Sequence, residues 1–141
     1  MKGILVDTSG WASLVVEKQT FHQQAKEIYQ SAIKHQTPLL TTNYILAELV
    51  VLLTSPLKLS RPRVIEIVEG IKTSPFFEII HIDEDLDRKT WELLKNRPDK
   101  TWSLVDCSSF VMMQERELSE ALTTDHHFEQ AGFIRLLKIL A

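Results

Sequence analysis

The sequence predicts a parallel α/β sandwich, and two observations carry the prediction. Short apolar segments alternate with longer segments of helical periodicity along the whole chain, and those short segments are too continuously apolar to leave one face wet. Ile4-Leu5-Val6 reads as a buried strand, ended by Asp7-Thr8-Ser9-Gly10, whose small polar residues suit a turn into a helix beginning near Trp11. From His22 to His35, Ala25, Ile28, Tyr29, Ala32 and Ile33 recur at spacings of three and four, which is the stripe of an amphipathic helix. Pro38-Leu39-Leu40-Thr41 follows as a second strand. Asn43 is placed to cap a helix from Ile45 to Leu53 that stops near Ser55-Pro56, and Ser60-Arg61-Pro62 opens another through Ile71. Phe76 to Ile82 is rich in strand formers, and the acidic cluster Asp83 to Asp87 starts a helix through Leu94. Pro98-Asp99-Lys100 breaks that helix and Ser103 begins the next. Ala121 to Thr124 and Phe133 to Leu137 supply the last strands, around a short helix at His127.

Length and composition bound the rest. The 141 residues, 44% hydrophobic and 25% charged, suit one compact domain spanning residues 1–141, able to bury a core without disulfides or a structural metal. A net charge of −3 lacks the basic balance of a general nucleic-acid binder, although an enzyme touching a few nucleotides needs only a local basic rim. Cys107 is the single cysteine, which excludes an intramolecular disulfide and a cysteine-based zinc site and fits a reducing cytoplasm. Asp7 arrives too early for the apolar stretch of a signal peptide. The richest apolar run, Tyr44 to Leu53, is about half the roughly 20 residues a spanning helix needs, and Glu48 interrupts it, so no membrane span is expected.

In open parallel sheets ligands gather at the carboxyl ends of strands, so polar residues directly after apolar strands draw attention first. Asp7 and Asp125 both stand there, and parallel strands would bring them to one edge. Helix capping accounts equally well for either aspartate taken singly. Asp106 lies in a helix whose faces are mostly apolar, yet Ser103 three residues earlier makes a capping box available to it. Glu48 has no capping explanation, because Ile45-Leu46-Ala47 and Leu49-Val50-Val51-Leu52-Leu53 surround it in mid-helix. An ionised carboxylate in such surroundings needs a compensating cation, supplied by a basic side chain or by a metal ion. Several carboxylates converging without a His or Cys cluster are hard oxygen donors that suit Mg²⁺ or Mn²⁺ over Zn²⁺, and those ions suit phosphate chemistry.

Four segments resemble the motifs of the PIN-domain nucleases, in particular the toxin subunits of VapBC-type toxin–antitoxin pairs. They are Val6-Asp7-Thr8-Ser9-Gly10-Trp11, Asn43-Tyr44-Ile45-Leu46-Ala47-Glu48-Leu49, Ser103-Leu104-Val105-Asp106-Cys107-Ser108-Ser109-Phe110, and Leu122-Thr123-Thr124-Asp125-His126-His127-Phe128 through Phe133. All four stand in the family's order, over nearly the whole chain. The resemblance implies a three-layer α/β/α sandwich with a mainly parallel sheet and a Mg²⁺- or Mn²⁺-dependent endoribonuclease. It also implies that Asp7 and Asp106 are the principal metal ligands, that Glu48 and Asp125 complete the acidic quartet, and that the chain forms homodimers and binds an antitoxin. Asp99 resembles an extra acid found in many members.

Other residues carry weaker expectations. Thr8 and Ser103 are hydroxyls at helix starts, suited to capping and also to hydrogen-bonding a carboxylate or phosphate. His126 and His127 read as exposed helix-start residues, and Cys107 as core packing rather than a nucleophile. Arg61, Arg63, Lys95, Arg97 and Lys100 form a candidate RNA-facing rim, with Trp102 able to stack on a base. The apolar residues of the helices from Ile45 and Val64 exceed the needs of a small core and suit a protein interface. The competing class is a non-catalytic PIN-like binding module or a phosphate-accepting α/β domain. A phosphate-accepting receiver expects paired acids after its first strand, and Asp7 has no adjacent acid.

Overall fold

The computed structural model describes residues 2–139. Five strands, β1 (Ile4–Val6), β2 (Leu39–Thr42), β3 (Phe77–Ile80), β4 (Glu120–Leu122) and β5 (Ile134–Arg135), form one sheet in the order β3-β2-β1-β4-β5. Every neighbouring pair is parallel. Among the described residues seven helices flank it to give the α/β/α sandwich: α1 (Thr8–Val15), α2 (His22–Lys34), α3 (Asn43–Thr54), α4 (Arg61–Thr73), α5 (Glu84–Asn96), α6 (Leu104–Glu115) and α7 (His127–Gln130). Among the described residues no helix is long and apolar enough to cross a membrane.

Local chemistry sets the element boundaries. Helix α1 begins at Thr8 rather than near Trp11, because extended backbone at Asp7 lets its carbonyl accept from the Trp11 amide at 2.9 Å and close the first turn. Thr42 rather than Asn43 caps α3, its hydroxyl accepting from the Ile45 amide at 3.0 Å. Asn43 is thereby released, and its Oδ1 accepts from the Ile82 amide at 2.7 Å, tying the start of α3 to the segment beyond β3. Ser60 caps α4 with Pro62 in its first turn, and Asp83 caps α5. Strand β5 is shorter than the sequence suggests, although the Leu136 and Leu137 amides still donate to the Ala121 and Thr123 carbonyls.

The core gathers on the central strands, where Leu5, Val6, Ala121 and Leu122 are at most 1% exposed. Burying each leucine or valine there contributes about 1.5–3 kcal/mol. Trp11 packs edge-on against Phe77 with ring centroids 4.7 Å apart. Its indole N–H donates to Thr41 Oγ1 at 3.0 Å, and Thr41 donates in turn to the Val6 carbonyl, so a large aromatic enters the core with its polar atom satisfied.

Helix α1 crosses β4 so closely that a Cβ on Gly10 would stand 2.0 Å from the Leu122 carbonyl oxygen. Backbone cannot yield as a flexible side chain does, so Gly10→Ala is expected to destabilise the fold by about 3 kcal/mol, read as a lowered urea midpoint. A wild-type midpoint for that variant would mean that the seam between α1 and β4 gives way freely.

Candidate active site

Chain direction around β1 positions the site. From β1 the sheet grows one way through β2 and β3 and the other way through β4 and β5, so a topological switch point lies between β1 and β4. Val6 pairs with Leu122, and both strands release their chains at the same edge, Asp7 from one and Thr123 to Asp125 from the other. The Asp7 amide donates to the Leu122 carbonyl at 3.1 Å, which holds the two exits together.

A cleft of about 570 Å³ opens there, lined by Asp7, Thr8, Ser9, Glu48, Leu52, Thr101, Ser103, Asp106, Thr124, Asp125, His126 and His127. All four acids singled out in the sequence therefore meet, although they come from the ends of β1 and β4 and from helices α3 and α6. Thr8 and Ser103 join them. Each acid is held by a short-range donor. Thr123 Oγ1 donates to Asp7 Oδ2 at 2.8 Å and accepts from the Asp125 amide at 3.0 Å, so one buried hydroxyl couples the first and last acids. Thr8 donates its hydroxyl to Glu48 Oε1. The capping box at the start of α6 is present in both directions: Ser103 Oγ accepts from the Asp106 amide at 3.0 Å, and Asp106 Oδ2 accepts from the Ser103 amide at 3.1 Å. Capping and a place in the cleft coexist at Asp106.

No lysine or arginine lines this cleft. Asp7 is pushed from the ordinary 3.8 to about 7, chiefly by burial and further by the charges of Asp106 and Glu48, against the opposing hydrogen bonds from Thr123 and the Thr8 backbone. Burial also raises Glu48, with Asp106 and Asp125 adding to it. Cys107 is fully buried with its thiol pushed up to about 11, by burial and then by Asp106, which removes it as a nucleophile. Oxygen donors that repel one another and meet no lysine or arginine in the cleft fit a hard divalent cation. A second groove of about 510 Å³ lies between α1, α2 and α4, lined by Leu14, Tyr29, Ile71 and Phe77 among others. Its two acids, Glu17 and Glu66, are exposed, whereas the acidic cleft gathers four acids with Asp7 and Asp106 buried, so the acidic cleft is the candidate active site.

The sequence pattern that defines the PIN domain matches residues 4–134. The chain belongs to the PIN-domain family. It is 29% identical over 133 residues to VapC20 of Mycobacterium tuberculosis, described as a 23S rRNA-specific endonuclease, covering 94% of this chain and 97% of that protein. The crystal structure of VapC20, described as a sarcin–ricin loop cleaving toxin, matches with a TM-score of 0.82 over 94% of this chain and 97% of that one. FitAcB from Neisseria gonorrhoeae shares the fold at 17% identity, with a TM-score of 0.67 over 94% of each chain.

Other expectations meet a different arrangement in this PIN domain. Asp99 does not line the cleft; it is exposed and paired with Arg97 at 3.0 Å and with Lys100 at 4.0 Å. Trp102 cannot offer a face to a base, because it is 6% exposed, packs edge-on against Phe110, donates its N–H to Gln130 Oε1 and is covered by the Arg97 guanidinium. Arg63 pairs with Glu66 on α4. The two histidines part company: the His126 side chain is 64% exposed, as expected, but that of His127 is only 17% exposed and its Nδ1 lies 3.0 Å from Asp106 Oδ2. Thr123 and His127 are the contributors that sequence reasoning missed. Both stood inside a quoted motif, but their partners lie 116 and 21 residues away.

The raised Asp7 has a measurable consequence for stability. Its folded value lies above its unfolded value, so the folded chain binds the extra proton between about pH 4 and pH 7, and stability falls as pH rises through that window. The shift corresponds to on the order of 4 kcal/mol if nothing relaxes. In EDTA at pH 7.5, Asp7→Asn is therefore expected to be more stable than wild type in urea unfolding, with the difference growing from pH 4 to pH 7 and then levelling. A difference independent of pH would remove the burial account of Asp7.

Proposed function

We propose that this PIN domain, acting as one unit over residues 1–141, is a Mg²⁺- or Mn²⁺-dependent endoribonuclease and the toxin of a toxin–antitoxin pair. The observation that carries the reading is the convergence of Asp7, Glu48, Asp106 and Asp125 on one switch-point cleft with no lysine or arginine in its lining. The likeness to VapC20, described both as an rRNA endonuclease and as a toxin, supports the same reading.

Asp7 and Asp106 would hold the ion, with Glu48 and Asp125 completing the donor set. When bound, a divalent ion lowers the pKa of water and offsets charge growing on the phosphodiester oxygens. The chain's own residues orient the site. Thr123 fixes Asp7, Thr8 fixes Glu48 and the Ser103 amide fixes Asp106, so the carboxylates meet an incoming phosphate with little reorganisation left to do. Thr101 lines the cleft and Lys100 adjoins it in sequence, which favours Lys100 for an RNA-facing rim on that side. Lys95 and Arg97 are proposed beside it, although Arg97 is committed to Asp99 and Trp102. Arg61 and Arg63, at the start of α4, lie outside the lining of the cleft, with Arg63 paired to Glu66, and belong to the rim only as an outlying proposal.

Short single-stranded RNAs incubated with the purified chain, freed of any co-purifying partner, test the reading in Mn²⁺, Mg²⁺ and excess EDTA. Wild type is expected to cut only with metal, and Asp106→Asn to lose more than about 100-fold in rate. Equal cleavage by the variant would sink the site assignment, and silence across varied RNAs in both metals would favour a non-catalytic binding module.

The partners belong to the same proposal. Val51 on α3 is 67% exposed and Ile65 on α4 is 47% exposed, an apolar excess that suits contact with a second copy or with an antitoxin. Light scattering on the isolated chain is expected to give a dimer, and Val51→Lys a monomer with an unchanged circular dichroism spectrum. A monomeric wild type would remove the dimer.

A further inference from the structure

We infer that His127 is a positioning residue for Asp106, pinning one oxygen of that carboxylate so that the other is the atom presented to the ion. The inference rests on the proposed role of Asp106 as a ligand, and on geometry that exists without any ion.

Asp106 Oδ2 is committed twice, to the Ser103 amide at 3.1 Å and to His127 Nδ1 at 3.0 Å. Oδ1 takes no hydrogen bond among the described residues. The torsion that turns an aspartate carboxylate about its Cβ–Cγ bond is broad and roughly two-fold, so the choice of presented oxygen must come from outside the residue. The Ser103 amide belongs to the same helix start as Asp106 and follows any movement of it. His127 stands on a different element and supplies an independent reference.

Three contacts hold that reference still. The His127 amide donates to Asp125 Oδ1 at 2.9 Å, so the fourth acid sets the backbone from which the ring projects. Phe128, the next residue, is fully buried, and its ring meets Phe110 edge-on at 4.9 Å. Phe110 lies one turn beyond Asp106 on α6, so this aromatic pair locks α7 to the helix that carries the carboxylate. Across the ring, Nε2 lies 3.3 Å from the Thr101 hydroxyl.

The carboxylate also fixes the role of Nδ1. An ionised carboxylate only accepts, so Nδ1 donates to Asp106 Oδ2, and the Thr101 hydroxyl, able to donate or accept, meets Nε2 on the other side of the ring. Nδ1 is thereby spent and is not itself the ligand, although the Asp125, His126 and His127 donor atoms all lie within 4.8 Å of one another. His126 makes no such contact, standing 3.8 Å from Asp125 and open to solvent.

Mn²⁺ binding followed by electron paramagnetic resonance tests the inference on wild type, His127→Ala and His127→Asn, none of which needs to turn over. The asparagine amide returns an N–H close to the place of Nδ1. His127→Ala is expected to weaken Mn²⁺ binding about 10-fold or more, and His127→Asn to stay within about threefold of wild type. Unchanged binding in the alanine variant overturns the inference, and so does equal weakening in both variants, which would assign His127 to ligation or packing. Nitrogen-15 spectra of the imidazoles in metal-free wild type read the contact even if the alanine variant fails to fold. A protonated Nδ1 is expected there, and a bare Nδ1 overturns the inference. A wild type that binds no Mn²⁺ would defeat the proposed ion-dependent function instead, with the nitrogen-15 arm still reporting on the contact.

Discussion

Because Val6 stands opposite Leu122 in the parallel pairing of β1 with β4, two chains leave the sheet side by side at the point where its winding reverses. A slip of one residue would turn the side chains of a strand to the other face and break the alignment of Asp7 with Thr123. The rest of the site depends on that register. Only with it in place does Thr123 reach Asp7 with its hydroxyl and Asp125 with its lone pair, and only then does Ser9 meet the Thr124 amide at 2.9 Å. The glycine at position 10 belongs to the same constraint, since α1 must press on the β4 backbone for Thr8 to face Glu48.

Against this geometry stands an electrostatic cost. Four carboxylates in one cleft repel each other, and Asp7 is also cut off from water. A domain selected for stability alone would fill such a place with apolar residues or with a matching arginine. Here hydroxyls, main-chain amides and the His127 ring hold the acids, orienting the negative charge with no lysine or arginine in the cleft to cancel it. The fold therefore keeps a strained local field ready for a cation and spends stability elsewhere in the core to do so.

The extent to which this was readable from the sequence follows from where each signal resides. Asp7 and Asp125 announce themselves locally, as acids directly behind apolar strands, and Glu48 does so by interrupting an apolar helix. The strand and helix order was equally local, because periodicity and caps are properties of neighbouring residues. His127 and Trp102 depart from their local signals for the same reason. Whether a ring beside a helix start is exposed depends on what packs over it, and the packing of Phe128 on Phe110 and of Arg97 on Trp102 is a tertiary fact with no local periodicity. The shift of the α3 cap from Asn43 to Thr42 is a closer case, because both residues are good caps and the distant Ile82 amide decided between them.

Cys107 neighbours Asp106 in sequence, but its thiol is fully buried and held mostly in its protonated form by burial and by that aspartate. Thiolate is the species that electrophiles and oxidants attack, so both access and reactivity are denied while the fold is intact. The core behind the acidic cleft thus shelters the one sulfhydryl in the chain. A change in redox conditions leaves the folded domain untouched at this position, and covalent capture of Cys107 by an alkylating reagent becomes a record of how often helix α6 comes away from the sheet.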